Sequence, residues 1–436
     1  MAQARRVPPA TAAGVQSSST PGLPWFPRRV VATARKQLRR LSLHARATLA
    51  PLAVAADRLL LGGESGFRAA QYAALIDDLM RPSTPLSVSP HVRLLQEYGR
   101  CGDDVFARDV FAGSAYFQNA LQAMNATGHY FGLTEEDGIL ELARDFVDRF
   151  RYGSSQRGPR ATWRGRTPEG VPVRVCRIKH SDCYEIIDGH HRLAIAYVQG
   201  VRRMRVVCTE RPVYTPLQKR LLDVLWTKGR RELYQPVDAP ELERRWVLVR
   251  RCTDRLAMMQ SFLHGAGFVA PHGATYLDLA SSYGWFVSQM GRFGFHALGV
   301  EHDPVAVSVG AAAYGVDPAV ITRMDCVRFL KTAGRQYDVV SCMSLLHHFV
   351  MGAGGVPAAE LMRLLDRVTK RVLFIETGQV TEAWFRTRLA GWDPDFVEEW
   401  LRKHSSFRQI HRLGVDEDRV PPFQDNYGRT LFACMR

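Results

Sequence analysis

From Thr275 to the C-terminus the chain alternates between runs of strand length and segments long enough for a helix, and this pattern constrains the fold more than any other feature. The runs are Tyr276–Ala280, Ala297–Glu301, Ile321–Cys326, Tyr337–Met343 and Arg371–Glu376. Strands joined through helices cross over and lie parallel, so a mostly parallel sheet flanked by helices is expected. Two further runs, Phe407–Leu413 and Arg429–Met435, match an antiparallel hairpin at the edge of that sheet.

The first strand ends in a turn of small residues. Tyr276-Leu277-Asp278-Leu279-Ala280 leads into Ser281-Ser282-Tyr283-Gly284, and Trp285-Phe286-Val287 opens a helix. At such a turn the backbone can approach a ligand closely, and the helix start offers amide groups with no helical partner. The second strand ends in Glu301, 23 positions after Asp278. An acid at about that distance is where an adenosine-binding fold grips a ribose. The third run ends in Asp325-Cys326, and the fourth is followed by Ser344 to His348.

Loop, spaced acid and following strands, in this order, resemble the class I S-adenosylmethionine (SAM)-dependent methyltransferase family from Thr275 to Arg436. The resemblance implies a Rossmann-like seven-stranded sheet with SAM as cofactor. It implies that Asp278 to Gly284, with Ala280, Ser282 and Gly284 at the small positions, lie under the methionine part of SAM. It places Glu301 on the ribose hydroxyls, Asp325 and Cys326 at the adenine edge, and Ser344 to His348 beside methyl donor and acceptor. The family often has three glycines in the loop, where this chain has Ala280, Ser282 and Gly284. A nicotinamide-binding Rossmann domain is the structural rival, disfavoured by the non-glycine loop and by the terminal strands.

His347 and His348 are candidate general bases, because imidazole titrates near neutrality. The alternative is that the pair forms part of the pocket wall. Glu376, at the end of the fifth strand, is a further catalytic candidate or a strand-end cap. Methyl transfer from a sulfonium needs mainly in-line positioning, so a base is dispensable. Enzymes that methylate exocyclic base amines resemble one another in an Asn/Asp-Pro-Pro-aromatic run after the fourth strand; here that place reads Ser341-Cys342-Met343-Ser344-Leu345-Leu346-His347. No Pro-Cys nucleophile of the cytosine-carbon type is present there either, so nucleic acid is not the expected acceptor.

A second motif lies in the middle of the chain. The runs Val171–Ile178 and Tyr184–Ile187 alternate with period two and predict a hairpin, His191–Val198 predicts a helix stopped by Gly200, and Met204–Cys208 predicts a third strand. The hairpin ends in Asp188-Gly189-His190-His191-Arg192. Two imidazoles, a guanidinium and open amides at one helix start suit a phosphate, and Asp188 can orient a histidine or hold a divalent cation. This segment resembles the ParB/sulfiredoxin-like fold, which implies nucleotide or phosphate binding, with a nucleoside triphosphate and Mg as the candidate ligand. Fused to a methyltransferase, such a module looks like proteins of surface-polysaccharide or natural-product pathways, where a sugar or other hydroxyl is O-methylated.

The remaining segments are less specific. Helical spacing over Asp104–Tyr116 and Glu135–Phe150 predicts two helices whose aromatics form a core, and Leu217–Gly265 is expected to be helical. Gly153–Gly170 is expected to be a surface loop. No acidic residue precedes Asp57, while nine lysines and arginines lie between Arg5 and Arg46, so that segment supplies nine of the fifteen excess charges. The pI therefore does not imply a general affinity for nucleic acid. Arg28–Leu61 is expected to form a basic amphipathic helix, packed on the next domain or in peripheral contact with a membrane. The eight cysteines show no zinc spacing, which predicts free thiols in a reducing cytoplasm and no metal.

At 436 residues two or three domains are expected. The expected division is a basic, partly disordered segment (1–60), a helical region plus ParB-like domain (61–216), a helical linker (217–268) and the methyltransferase domain (269–436). The fold class is α/β, with the C-terminal Rossmann-like sheet preceded by a smaller α+β domain and a helical N-terminal region. The leading function is SAM-dependent O-methylation of a sugar, polysaccharide or small-molecule hydroxyl. The alternatives are a bifunctional methyltransferase-kinase, a nucleic-acid-associated methyltransferase, and a non-catalytic regulator that binds SAM and nucleotide.

Overall fold

The computed structural model describes residues 51–62, 83–156, 172–268 and 273–436. The disorder expected at the N-terminus, the first part of the basic helix and its membrane contact, and most of the loop expected at 153–170 lie outside these residues. The described part is mixed α/β, with two large sheets and helices packed on both.

The first sheet holds β1 (Leu52–Ala55), β2 (Leu59–Leu61), β3 (Arg174–Ile178), β4 (Tyr184–Asp188) and β5 (Arg203–Val213), in the order β1-β5-β3-β4-β2. β3 and β4 form the expected antiparallel hairpin. Residues 52–61, expected to end an amphipathic helix, are instead the two edge strands: β1 pairs antiparallel with β5 and β2 parallel with β4. Leu59 and Leu60 are both fully buried, as in a strand covered on both faces. β5 runs well past Cys208. Pro212 is tolerated in it because β1 pairs only with residues 203–206, leaving an open edge beyond.

Helices Pro90–Cys101, Ala115–Thr127, Asp137–Gln156 and His190–Val198 cover this sheet. The single helix expected over Asp104–Tyr116 is broken. Gly113 ends a short helix, and the Ser114 hydroxyl starts the next by accepting from the Phe117 amide at 3.2 Å. Phe106, Phe111, Tyr116 and Phe146 are buried in one core.

Leu217–Gly265 is helical only at its ends, Pro216–Asp223 and Thr253–Gly265. Between them runs a strap of turns whose only strands are β6 (Glu232–Leu233) and β7 (Val247–Leu248), two residues each. Pro236 and Pro240 and a scarcity of helical periodicity explain why no helix forms there. The strap is tied to both sides. Glu241 accepts from the Ser83 amide and hydroxyl at 3.1 and 2.9 Å, while the Leu225 amide donates to Asp303 at 2.8 Å and the Tyr314 hydroxyl donates to the Pro236 carbonyl at 2.6 Å.

The second sheet comprises β8 (Thr275–Leu279), β9 (His296–Glu301), β10 (Ile321–Arg323), β11 (Tyr337–Met343), β12 (Thr369–Glu376), β13 (Gln409–Val415) and β14 (Thr430–Met435). Its order is β10-β9-β8-β11-β12-β14-β13. Only β14 is reversed, antiparallel to both neighbours. Alternate residues serve opposite faces: Leu277, Val340 and Leu373 pack on helix Ala358–Val368, and Tyr276, Val339 and Phe374 pack on helix Thr253–Gly265. This arrangement brings the loops after Leu279, Glu301, Met343 and Glu376 to one edge, where open parallel sheets bind ligands.

Candidate functional site

The loop after β8 is held in an unusual conformation. Ala280, Ser282 and Gly284 have φ of 57°, 54° and 77°. A left-handed alanine or serine costs about 1–2 kcal/mol, so the places where glycine would be free are here enforced by their surroundings. The Ser281 amide donates to the Val300 carbonyl at 3.0 Å, and the Ser282 amide to Glu301 Oε2 at 2.8 Å. Gln235, from the strap, donates to the Ser281 carbonyl and accepts from the Trp285 amide, both at 3.2 Å. Helix Pro304–Tyr314 closes against the loop at Gly310, where a Cβ would stand 1.9 Å from the Tyr283 carbonyl oxygen.

Glu301 is 6% exposed. Besides bracing Ser282, it accepts from the His302 and Asp303 amides at 2.8 and 2.9 Å. Asp325 is exposed and caps helix Cys326–Thr332 by accepting from the Arg328 amide at 2.9 Å. Burial pushes the Cys326 thiol up to about 11. Asp278 is buried and accepts from the Ser341 hydroxyl at 2.5 Å, which is itself 2.6 Å from the Tyr276 hydroxyl; burial pushes the Asp278 carboxyl up to about 7.

A small cavity sits under this loop. Asp278, Ala280, Phe286, Met343, Ser344 and Glu376 line it from the sheet, and Tyr234, Gln235, Arg250, Cys252 and Arg255 line it from the strap and the helix that follows. Its floor is a buried ionic cluster. Arg250 pairs with Glu376 at 2.5 Å and Asp418 at 3.1 Å, Arg255 with Glu376 at 3.2 Å and Asp418 at 2.7 Å, and Arg429 with Glu376 at 3.2 Å and Glu382 at 2.8 Å. The Glu376 carboxyl, although fully buried, is held far below the usual range by Arg250, Arg255 and Arg429. Three guanidiniums face four carboxylates, and burial pushes Asp416, the fourth, upward. Within this dense network the Arg250 Nη1 is buried with no hydrogen-bond acceptor.

The candidate catalytic groups differ in what they have left to offer. Gly378 donates its amide to His347 Nδ1 at 3.1 Å, so the remaining ring proton sits on Nε2. Burial and Arg429 drive the His347 imidazole well below its ordinary value, which keeps it neutral. His348 lies beside it with one side open to solvent, ring centroids 4.3 Å apart, and its imidazole is also lowered, by partial desolvation and Arg429. Glu376 has both oxygens engaged by arginines and by the Ser344 hydroxyl at 3.1 Å.

Sequence reasoning missed Gln235, Arg250, Arg255 and Arg429. The first three lie in the segment expected to be a helical linker, and Arg429 precedes β14 by one residue. None carries a local motif.

In the first sheet, Asp188 and Arg192 satisfy each other, while the buried His190 Nε2 has no hydrogen-bond partner. Asp188 Oδ2 pairs with Arg192 Nη2 at 3.0 Å across one helical turn. Gly189 has φ of 103°, and a Cβ there would meet Val173 and Arg192. The His190 ring is buried and stacked 5.6 Å from His91, and the His191 Nε2 lies 2.8 Å from the Tyr116 hydroxyl. Burial lowers the His191 imidazole to about 3, so it carries no charge.

No protein-family model matches the chain, and no curated protein does. Among solved structures the chain is similar to the bifunctional kinase-methyltransferase WbdD, at 17% identity over 50% of this chain and 45% of that one, with a TM-score of 0.39. It is similar to magnesium protoporphyrin IX methyltransferase (ChlM) of Synechocystis PCC 6803 at 17% identity, over 42% of this chain and 82% of that one, with a TM-score of 0.33. A SAM-dependent methyltransferase of Archaeoglobus fulgidus matches at 13% identity over 42% of this chain and 95% of that one, with a TM-score of 0.30. The match spans less than half the length of the WbdD chain. Scores this low leave the residues of the site to carry the functional reading.

Proposed function

We propose that the C-terminal region is a SAM-dependent methyltransferase acting on the hydroxyl of a sugar, polysaccharide or small molecule. The observation that carries this reading is the left-handed Ala280–Gly284 loop over a cavity lined by Arg250 and Arg255, each of which keeps one buried guanidinium nitrogen, Nη1 and Nη2 respectively, without an acceptor. A buried guanidinium N–H without an acceptor is costly, and a ligand carboxylate would satisfy it. The carboxylate of a methionyl group meets that need. The acid at Glu301, with lone pairs beyond those braced by backbone amides, would take ribose hydroxyls, and Asp325 and Cys326 would border the adenine.

Bound there, SAM supplies an electrophilic methyl group on a sulfonium. The chain's part is to hold and orient. Glu376 fixes Arg250, Arg255 and Arg429 and receives the Ser344 hydroxyl, so we assign it an anchoring role rather than that of a base. Of the two histidines, His348 has the free lone pair and the exposure to take a proton from an acceptor hydroxyl, while His347 is committed to Gly378.

For the first sheet we infer an accessory, ParB-like module. Asp188 already neutralises Arg192, and His191 is neutral, so a phosphate there would rely on the amides at the start of helix His190–Val198 and on the unpartnered His190 Nε2. A kinase activity gains no support from that arrangement.

The test is calorimetric titration with SAM of the wild type and of Glu301→Ala, followed by ATP and CTP with magnesium. Loss of a charge-assisted hydrogen bond predicts at least about tenfold weaker SAM binding by the variant. No binding by the wild type would overturn the reading. Tight binding with no turnover on any sugar, nucleotide-sugar or small-molecule acceptor would favour the non-catalytic regulator.

A further inference from the structure

The loop after β12 carries an aromatic surface that the methyl-donor pocket does not use. Trp384 is 50% exposed, the more open of two exposed tryptophans among the described residues. It is not a loose side chain. Its amide donates to Asn426 Oδ1 at 3.0 Å, the Ala383 amide donates to the Asp425 carbonyl at 2.9 Å, and neighbouring Glu382 is locked to Arg429. Its ring packs edgewise against Tyr427, Phe423 and Phe385 at 5.4, 6.1 and 6.5 Å. Packed on one side and half open, the indole presents an apolar platform to solvent.

Two features set that platform beside the reaction site. Phe385 lies between Trp384 and His347, its ring 4.9 Å from the imidazole. Tyr427 lies between Trp384 and Arg250, whose guanidinium is 4.5 Å from the phenol ring. Both loops involved, 377–393 and 416–429, leave the sheet at the edge where Glu376 pairs with Leu431 and Val415 with Thr430. This is the edge that holds the Ala280–Gly284 loop.

The charge beside Trp384 is positive and unspent. The Leu389 amide donates to the Phe385 carbonyl at 2.8 Å, which makes residues 384–389 one helical turn. Phe385 and Leu389 turn inward, and positions 384 and 388, four apart, share a neighbouring face. Arg386 and Arg388 are exposed, and neither forms an ion pair among the described residues.

Resting on the methyltransferase reading, we propose that Trp384 and Arg388 form the acceptor subsite for an anionic sugar, a glycosyl ring carrying a phosphate or carboxylate. A pyranose has an apolar C–H face that covers an indole while its hydroxyls stay hydrated, which a platform open on one side allows. The anion pairs with Arg388, and the hydroxyl to be methylated points past Phe385 toward His348.

Saturation-transfer NMR tests this, with glucose 6-phosphate, glucuronate and glucose as probes on wild type, Trp384→Ala, Trp384→Phe and Arg388→Ala, and with SAM affinity measured on each protein. Expected are signals on ring C–H protons of the two charged sugars, lost in Trp384→Ala, retained in Trp384→Phe, and about tenfold weaker in affinity for Arg388→Ala. Phosphate and carboxylate arms show which anion is preferred. Equal signals in wild type and Trp384→Ala, or no sugar signal from a protein that binds SAM, overturns the proposal. Absence of SAM binding with a Trp384-dependent sugar signal supports the subsite and overturns only the methyl-transfer reading.

Discussion

Both sheets end a strand in an acid that meets an arginine, and they use the pair differently. At the end of β4, Asp188 and Arg192 close on each other, with side chains 45% and 22% exposed, and the one buried group of the motif left open is His190 Nε2. At the end of β12, Glu376 is shared by three arginines, all buried, and one guanidinium nitrogen each of Arg250 and Arg255 remains without an acceptor. A motif read from sequence counts residue types. Whether a site exists depends on which of its polar groups the fold has already satisfied, and here the more motif-like segment has closed its own ion pair and leaves one imidazole nitrogen open, where the other leaves guanidinium nitrogens.

The largest test of that difference is Glu376→Gln. Removing the charge takes the shared partner from three buried guanidiniums and leaves them to Asp416, Asp418 and Glu382, which should cost about 3 kcal/mol in chemical denaturation. Because the folded carboxyl is held far below its ordinary 4.5, it contributes stability that is fully present above pH 4.5 and is lost as pH falls toward the folded value. The variant should therefore lack part of the wild type's acid limb below pH 4.5. A loss under about 1 kcal/mol would mean that the cluster is as self-compensating as the Asp188–Arg192 pair and that the contrast fails.

Next in size is His348→Ala, expected to lower kcat by about 100-fold on a hydroxyl acceptor if His348 is the base. Its folded pKa is lowered from 6.5, so the competent neutral form persists below that value and the wild-type acid limb should fall below pH 6.5. The same change at His347 should act through the Gly378 loop, altering stability as well as rate. Equal rates for wild type and His348→Ala would leave positioning alone as the chain's contribution.

What was legible in sequence was local and periodic. The strands at Tyr276–Ala280, Ala297–Glu301 and Tyr337–Met343, the turn of small residues and the acid at Glu301 all announce themselves within a few residues, because short apolar runs and tight turns are properties of short segments. The loop's departure from three glycines was visible too, but its meaning was not. Ala280 and Ser282 take left-handed φ because Glu301, Val300 and Gln235 hold them there, and those contacts come from elsewhere in the chain. Arg250, Arg255 and Arg429 were invisible for the same reason: each is an ordinary arginine until the strap and β14 bring it to Glu376. The strand identity of residues 52–61 was hidden because edge pairing with β5 and β4, not local propensity, decides it.

The smallest effect is also the one that says most about the first sheet. A partly exposed pair spaced i, i+4 is worth about 0.3–0.5 kcal/mol, so Arg192→Ala should barely move the denaturation midpoint. Asp188→Ala is the sharper change, because it releases the Arg192 guanidinium at a helix start without disturbing the His190–His91 stack. If the segment is a phosphate site masked by its own acid, that variant should bind ATP without magnesium more tightly than wild type. If Asp188 instead holds a cation for a nucleotide, magnesium ATP should bind the variant more weakly. No change in either titration would leave the motif as a turn that joins β4 to its helix, with ligand binding confined to the second sheet.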